Sequence, residues 1–389
     1  MLNRFPVTVI GAGIGGLAVA IALAERGAVV RVLEQADELR ELGAGLQITP
    51  NGVAVLDALG LGEGARERGL VASAVELRDY RVGRKVVRLD MMREAGERPY
   101  LLMHRADLVK LLEARARALG VLIAPGRRVI AVAPDARGGT LTLADGSREE
   151  AAFVVGADGL HSRVRPALNG EQAPFFTGQV AWRALVPCTD RTRREVRVHM
   201  GPGRHVVTYP LRGAQVLNVV AVEERDQWMD EGWNHPGEPE EMRRAFSMFC
   251  AEITTVLKHV ETVHVWGLFR HPVAERWFGA GCALLGDAAH PTLPFLAQGA
   301  NMALEDAWVL ADCLSAQPLE DALPAYQKRR RARVARVIEA ANANARNYHL
   351  RNPLVRFAAH SGLRAAGAIA PEQIMGRFDW VHAFDVTAR

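Results

Sequence analysis

Cysteine is scarce in this chain. Cys188, Cys250, Cys282 and Cys313 are the only four in 389 residues, no two are closer than the 31 positions between Cys282 and Cys313, and no CxxC occurs. That spacing excludes a zinc site, a redox dithiol and disulfide-reductase chemistry, and it suits a reducing cytoplasm. A charge of one sign is missing too. Lys and Arg number 48 against 44 Asp and Glu, a net charge of +4, too mild for the dense positive field that nucleic acid demands. Aromatic residues make up only 6%, yet 49% of the chain is apolar and 24% charged, which excludes a disordered or collagen-like protein. At about 150 residues per domain, the length supplies two to three domains. One run, Pro6 to Ala24, nineteen uncharged residues behind Arg4, imitates a signal peptide or membrane anchor. Gly11, Gly13, Gly15 and Gly16 oppose that reading, because each glycine costs a helix interior about 1 kcal/mol relative to alanine.

The same run reads better as three pieces: a buried strand Val7 to Ile10, a tight turn Gly11 to Gly16, and an Ala-rich helix Leu17 to Arg26 that stops at Gly27. A second strand, Val29 to Leu33, follows. Gly11, Gly13 and Gly16 stand in GxGxxG spacing. Such glycines let the backbone turn, approach a pyrophosphate and pack helix on strand, while the helix N-terminus offers N–H groups to phosphate. Glu34, with Gln35 beside it, ends the second strand 23 residues after Gly11 and can accept hydrogen bonds from a ribose diol. The plainer reading, glycines that serve only helix–strand packing, leaves Glu34 unexplained. No second fingerprint exists: Gly60, Gly62 and Gly64 follow a helix-like stretch, and Gly201 with Gly203 lacks the rest. One dinucleotide therefore sits in a Rossmann crevice, and any other binds differently.

Regular βα alternation then stops. A polar, glycine-rich stretch from Arg40 to Asn51 leads into a helix from Gly52 to Leu59, and another helix runs from Arg105 to about Leu119. Short strands pass through an Asp145-Gly146 hairpin signal to a strand at Ala151 to Val155. Alternating apolar residues from Val180 to Val222 predict an antiparallel sheet, and the chain after Cys282 reads mostly as helix. The fold class is α/β: a discontinuous Rossmann-like domain with an inserted β-sheet domain and a helical C-terminal region. Its expected segments are residues 1–75, 100–178 and 276–317 for the first, 76–99 and 179–275 for the second, and 318–389 for the third. The last strand of the nucleotide sheet, Cys282 to Leu285, comes from far downstream.

Two more acids stand where strands stop: Asp158 in VVGADGLHSRVR and Asp287 in LLGDAAHP. Each alone is an ordinary Asp-Gly or Gly-Asp turn. Combined with GxGxxG and Glu34, and with LLGDAAHPTLPFLAQGANMALEDA, they resemble the single-component FAD-dependent aromatic hydroxylases over roughly residues 5–350. The group includes para-hydroxybenzoate, salicylate, 3-hydroxybenzoate 6- and 6-hydroxynicotinate hydroxylases. The resemblance implies bound FAD, NADH or NADPH as transient co-substrate, and a flavin C4a-hydroperoxide that hydroxylates a small phenolic or hydroxy-aromatic acid. It places the ADP part of FAD on the first motif, Asp158 near FAD and the path used by NAD(P)H, and the ribityl chain on Asp287. Arg40 and Arg105 match positions that contact the pyrophosphate or ribityl region, and Gln47 falls near the flavin. At Gln298, Gly299 and Ala300 a helix beginning near Asn301 aims its N-terminal dipole at the flavin's pyrimidine edge, where reduction gathers negative charge.

A phenol reacts far better once deprotonated, so a base is expected. His205 and Tyr209 in RHVVTYPLRG share one strand face. His205 is the expected base or phenol-binding group and Tyr209 orients the substrate; the plainer reading packs the two together. RHVVTYPLRG resembles the 3-hydroxybenzoate 6-hydroxylases, where a histidine contacts the substrate hydroxyl. Pro294 departs from that subgroup's glutamine, PTLPFLAQGA looks more like the salicylate hydroxylases, and Gln47 replaces a histidine of the 6-hydroxynicotinate hydroxylases. Arg183 is the candidate partner for a substrate carboxylate, Trp182, Phe269 and Phe295 candidate pocket walls, and His290 a residue that shapes its loop. Lys328 to Arg336 carries six basic residues in nine, which at helical spacing form a solvated face rather than a nucleic-acid or membrane patch. The expected protein is a cytoplasmic enzyme without metal, nucleic-acid or membrane partner, a monomer or homodimer, acting on a small aromatic acid and O2. The alternatives are an FAD oxidase of another class, a monooxygenase of a hydroxypyridine or other heteroaromatic ring, and a nucleotide-binding regulatory protein without turnover.

Overall fold

A computed structural model describes residues 2–39, 45–94, 98–135, 138–225 and 235–388. Arg40 lies outside these residues. The opening segment forms the strand Pro6–Ile10, the helix Ile14–Glu25 and the strand Val29–Leu33. The helix starts three residues before its expected position because Gly15 and Gly16 join it, their missing side chains permitting contact that alanine would not. A Cβ on Gly16 would stand 1.9 Å from the Gly11 carbonyl oxygen, and one on Gly15 2.7 Å from Leu285 Cδ1. The side chains of Ile14 and of the seven consecutive residues Leu17 to Leu23 are buried in the main core. An all-round apolar helix of this kind belongs inside a protein.

Six strands make the nucleotide sheet, in the order Phe278–Gly279, Cys282–Leu284, Val154–Gly156, Pro6–Ile10, Val29–Leu33 and Leu122–Ala124. All neighbours are parallel except the first pair. The late strand, expected at Cys282 to Leu285, joins this sheet as Cys282–Leu284, where it pairs with Val154–Gly156. Asp158 and Asp287 follow the carboxyl ends of these two adjacent strands, the edge at which open α/β sheets take ligands.

Two expectations need correction. The single strand expected at Ala151 to Val155 is two: Arg148–Ala151 pairs in a three-stranded antiparallel sheet with Gly138–Leu143, and Val154–Gly156 enters the parallel sheet. The chain changes layer at Ala152, which is exposed, and Phe153, which is fully buried. The second large sheet has eight strands and is not wholly antiparallel, because Glu195–Gly201 runs parallel to Ala74–Asp79. The Ala74–Asp90 hairpin comes from a much earlier part of the chain and docks on that edge. A smaller sheet of Gly45–Ile48, Leu101–His104 and Leu70–Val71 lies against it.

The helices Gly299–Ala316 and Leu319–Tyr348 pack beside the nucleotide sheet. Here the basic run departs from expectation. Lys328, Arg329, Arg331 and Arg336 are exposed, but Arg330 is completely buried. Its Nε donates to Asp306 Oδ1 at 2.7 Å and its Nη1 lies 2.6 Å from Glu305 Oε2, while Arg333 Nη2 donates to Glu305 Oε1 at 2.8 Å. With a period of 3.6, one member of a basic run must turn inward, and Arg330 does so because two buried acids await it. Among the described residues no helix is long and apolar enough to cross a membrane.

Candidate active site

Three cavities lie in a row. The first, about 500 Å³, is lined by Gly11, Gly13, Glu34, Gln35, Arg105 and Asp158. Gly11 has φ +99, and a Cβ there would stand 2.6 Å from the Ala157 carbonyl oxygen, so only glycine closes this turn. Gly13 caps the helix Ile14–Glu25 and faces open space. Glu34 already accepts from the N–H of Ala12 at 2.7 Å and of Ala36 at 3.0 Å, and a carboxylate has lone pairs for a diol besides. Asp158 accepts at 2.6 Å from the N–H of Arg163 through Oδ2, while its Oδ1 is buried without a partner. Burial pushes this carboxyl above its ordinary value against the hydrogen bonds from Ser162 and Arg163.

The second cavity, about 290 Å³, shares Gly13 and Arg105 with the first and adds Gln47, Arg183, Tyr209 and Asp287. Burial also raises the Asp287 carboxyl, with His290 and Arg105 pulling the other way. Asp306 braces the turn that carries Asp287: its Oδ2 accepts from the N–H of Gly286 at 3.0 Å and lies 2.5 Å from His290 Nε2. His290, tied to Asp306 and facing the Trp277 ring at 5.0 Å, shapes the loop. Gly299 and Ala300 open the helix Gly299–Ala316 at the wall of the cavity. The Gln298 side chain turns away, donating to Thr49 Oγ1 at 2.9 Å and accepting from Asn51 Nδ2 at 3.0 Å.

The third cavity, about 690 Å³, is mostly apolar and meets the second at Gln47, His205, Val207, Pro294 and Ala297. His205 is buried at this junction, its ring 5.4 Å from Phe295. Burial, reinforced by His349, holds the imidazole well below its ordinary value, so it is neutral at physiological pH. Tyr209 is pushed up to about 12 by burial, against Arg183 and Gln47, and is protonated. Arg183 lies over the Trp266 ring at 4.7 Å. Phe269 lines the second cavity and Phe295 the third. Trp182 does not wall either. Strand alternation sends it to the opposite face from Arg183, where it is buried and donates to Glu223 Oε1 at 3.1 Å.

Sequence reasoning missed Tyr100, whose hydroxyl donates to Gln47 Oε1 at 2.6 Å and which lines the third cavity. Its place in PYLLMHRADL, five residues ahead of Arg105, was the available signal. It also missed His349, which touches His205 across 144 positions and carries no local motif.

A strand–glycine turn–helix with an acid after the second strand, joined to strand-end acids along a continuous cleft, defines a dinucleotide-dependent enzyme fold, and FAD fits the donor set: an open helix N-terminus, the unpartnered oxygen of Asp158 and the cleft beyond it. The chain belongs to the FAD-binding-domain family, whose profile matches residues 4–341. It is 38% identical to a 3-amino-4-hydroxybenzoate 2-monooxygenase of Streptomyces platensis over 90% of this chain and 89% of that one. To a 3-hydroxybenzoate 6-hydroxylase of Polaromonas naphthalenivorans it is 35% identical over 98% and 96%. Among solved structures, Klebsiella pneumoniae HpxO complexed with FAD and uric acid superimposes with a TM-score of 0.85 at 26% identity, covering 97% of this chain and 96% of that one. The chain is thus an FAD-dependent monooxygenase with NAD(P)H as the co-substrate typical of its relatives.

Proposed function

We propose that this enzyme hydroxylates a small phenolic or hydroxy-aromatic acid bound where the second and third cavities meet. The observation that carries this reading is the position of His205, neutral, buried and at that junction, lining the second cavity together with Arg183. FAD, reduced by NAD(P)H, supplies the oxygen-transfer chemistry. The residues of the chain do the rest. Gly11, Gly13 and the helix N-terminus behind them hold the pyrophosphate, Glu34 and Gln35 the ribose, Asp287 the ribityl hydroxyls, and Arg105, which lines both clefts, neutralises charge between them. The N-terminus of Gly299–Ala316 stabilises negative charge on the ring system. Gly16 serves this site through packing, and Gln298 through its bonds to Thr49 and Asn51. Arg183 takes the carboxylate, Tyr209, with Gln47 held by Tyr100, orients the ring, Pro294 and Phe295 close the pocket, and His205 accepts the phenol proton at the nitrogen facing the cavity. The division into segments 1–75, 100–178 and 276–317 about the nucleotide, 76–99 and 179–275 over the substrate, and 318–389 behind them is proposed on the same grounds. Four free, buried thiols and the need for NAD(P)H favour the cytoplasm.

The experiment is a screen of hydroxybenzoates, aminohydroxybenzoates and hydroxypyridines for stimulated NAD(P)H and O2 consumption, with product identification. A phenolic acid that both accelerates consumption and emerges hydroxylated is the expected result. A yellow enzyme that consumes NAD(P)H with none of them, or turns over an amine without NAD(P)H, defeats the reading. Asp287→Ala should lose about 1.5 to 3 kcal/mol of FAD affinity, roughly ten- to hundredfold in Kd, read by titrating the apoprotein with FAD. Undiminished affinity would remove Asp287 from the cofactor site.

A further inference from the structure

A line of hydrogen bonds runs from the surface to His205. Arg351, at the surface, donates to Glu224 Oε2 through Nε at 3.0 Å and Nη2 at 2.5 Å. Glu224 Oε1 lies 2.9 Å from His349 Nδ1, and His349 Nε2 lies 2.7 Å from His205 Nδ1. Both rings are almost fully buried, at 4% and 2% exposure. The turn at Gly203 draws the pieces together: its N–H donates to the His349 carbonyl at 3.2 Å and its carbonyl accepts from the Glu224 N–H at 2.9 Å. Gly203 has φ +66, and a Cβ there would press within 3.3 Å of both Arg351 Nη2 and Glu224 Oε2.

The direction of each bond follows from charge. Burial alone would raise the Glu224 carboxyl, but the hydrogen bonds from Arg351 and His349 hold it below its ordinary value, so it is ionised and can only accept. His349 Nδ1 therefore carries a hydrogen. With His349 neutral, its Nε2 is an acceptor, so His205 Nδ1 carries the next hydrogen and His205 Nε2, on the cavity side, is left with a lone pair. We propose that Glu224 and His349 are positioning residues that fix His205 in the tautomer able to accept a proton and pass that proton out to solvent.

The proposal rests on the reading of the substrate as a phenol. When the substrate O–H bond breaks, its proton joins His205 Nε2, the Nδ1 proton of His205 moves to His349 Nε2, and the Nδ1 proton of His349 moves to Glu224, which yields a proton to water. The substrate is left as phenolate and no group in between retains charge. The relay resets in reverse when the product leaves as a phenol, with Glu224 drawing a proton from water. A buried imidazole that resists a charge is a poor store for a proton but a good conductor of one. The groups facing this line are Tyr348 and Phe295 against His205, and Arg204 and Arg351 beside His349 and Glu224.

The test uses the FAD-loaded enzyme and a nitro-substituted hydroxybenzoate, whose phenolate absorbs visible light, and follows phenolate formation on mixing at several pH values. Glu224→Gln keeps an acceptor for His349 but cannot take up a proton, and His349→Gln removes the middle ring. Each is expected to slow phenolate formation on the order of a hundredfold with probe affinity preserved, and Glu224→Asp to restore it. Wild-type rates in both Gln variants overturn the relay while leaving the hydroxylase reading intact. A wild-type enzyme that binds no phenolic probe overturns both.

Discussion

Arg330→Met is expected to lower folding stability by about 3 to 5 kcal/mol, read as a lower midpoint in urea or heat and as loss of bound FAD. The guanidinium has no access to water and pairs with two carboxylates that are themselves fully buried, Glu305 and Asp306. Removing it strands negative charge in the interior. Arg333 and Asn51 still reach Glu305, and His290 still reaches Asp306, so the loss falls short of two bare charges. Because Asp306 also holds the N–H of Gly286, the damage spreads to the turn carrying Asp287. Arg331→Met, one residue away on the exposed side of the same helix, should change stability by no more than about 0.5 kcal/mol. The pH dependence gives a second readout. Burial would raise the Asp306 carboxyl, but His290 and Arg330 hold it at about 2, and Glu305 is lowered as well. A carboxyl depressed on folding contributes stability that is complete above its unfolded value, near 4, and is lost as pH falls toward about 2. In Arg330→Met the sign reverses: protonation relieves the stranded charge, so the penalty should shrink as pH falls. An equal penalty at all pH values, or none, would mean that the buried cluster does not act through charge.

The nucleotide half of the molecule was legible because its signals are local. Gly11, Gly13, Gly16 and Glu34 lie within 24 consecutive residues, Gly11 and Gly16 stand where the backbone leaves no room for a Cβ, and the Glu34 carboxylate accepts from the N–H of Ala12 in the same turn. Asp158 and Asp287 were legible as strand ends, and the two strands they follow, Val154–Gly156 and Cys282–Leu284, are neighbours in the sheet. The substrate side was only half legible. Alternation along Arg204–Leu211 correctly put His205 and Tyr209 on one face, yet the same rule applied to Trp182 and Arg183 would have sent them apart, and they were read as sharing a pocket. Composition concealed Arg330: a run of six basic residues looks solvated until the facing helix is known to offer Glu305 and Asp306. Tyr100 and His349 were invisible for a related reason, since each gains its role from a partner 53 or 144 positions away.

His205→Gln should slow hydroxylation by roughly two to four orders of magnitude while leaving FAD content and protein stability nearly unchanged. Glutamine is of similar length and can still hydrogen-bond His349, but it cannot take a proton from the substrate. The ring it replaces is held by contact with Phe295 and Tyr348, so the cavity wall survives the change. With no base in place the enzyme must wait for the phenol to ionise unaided. The remaining rate should therefore climb with pH, about tenfold per unit until the phenol's own pKa, near 10 for an unperturbed phenol, is reached, whereas the wild-type rate stays flatter over that range. Hydride transfer from NAD(P)H forms no bond to the substrate, so consumption is expected to continue and to appear increasingly as hydrogen peroxide instead of hydroxylated product. Peroxide and product measured together at several pH values check this directly. A variant with wild-type product yield and an unaltered pH profile would make His205 a packing residue and move the site of deprotonation elsewhere in the cavity.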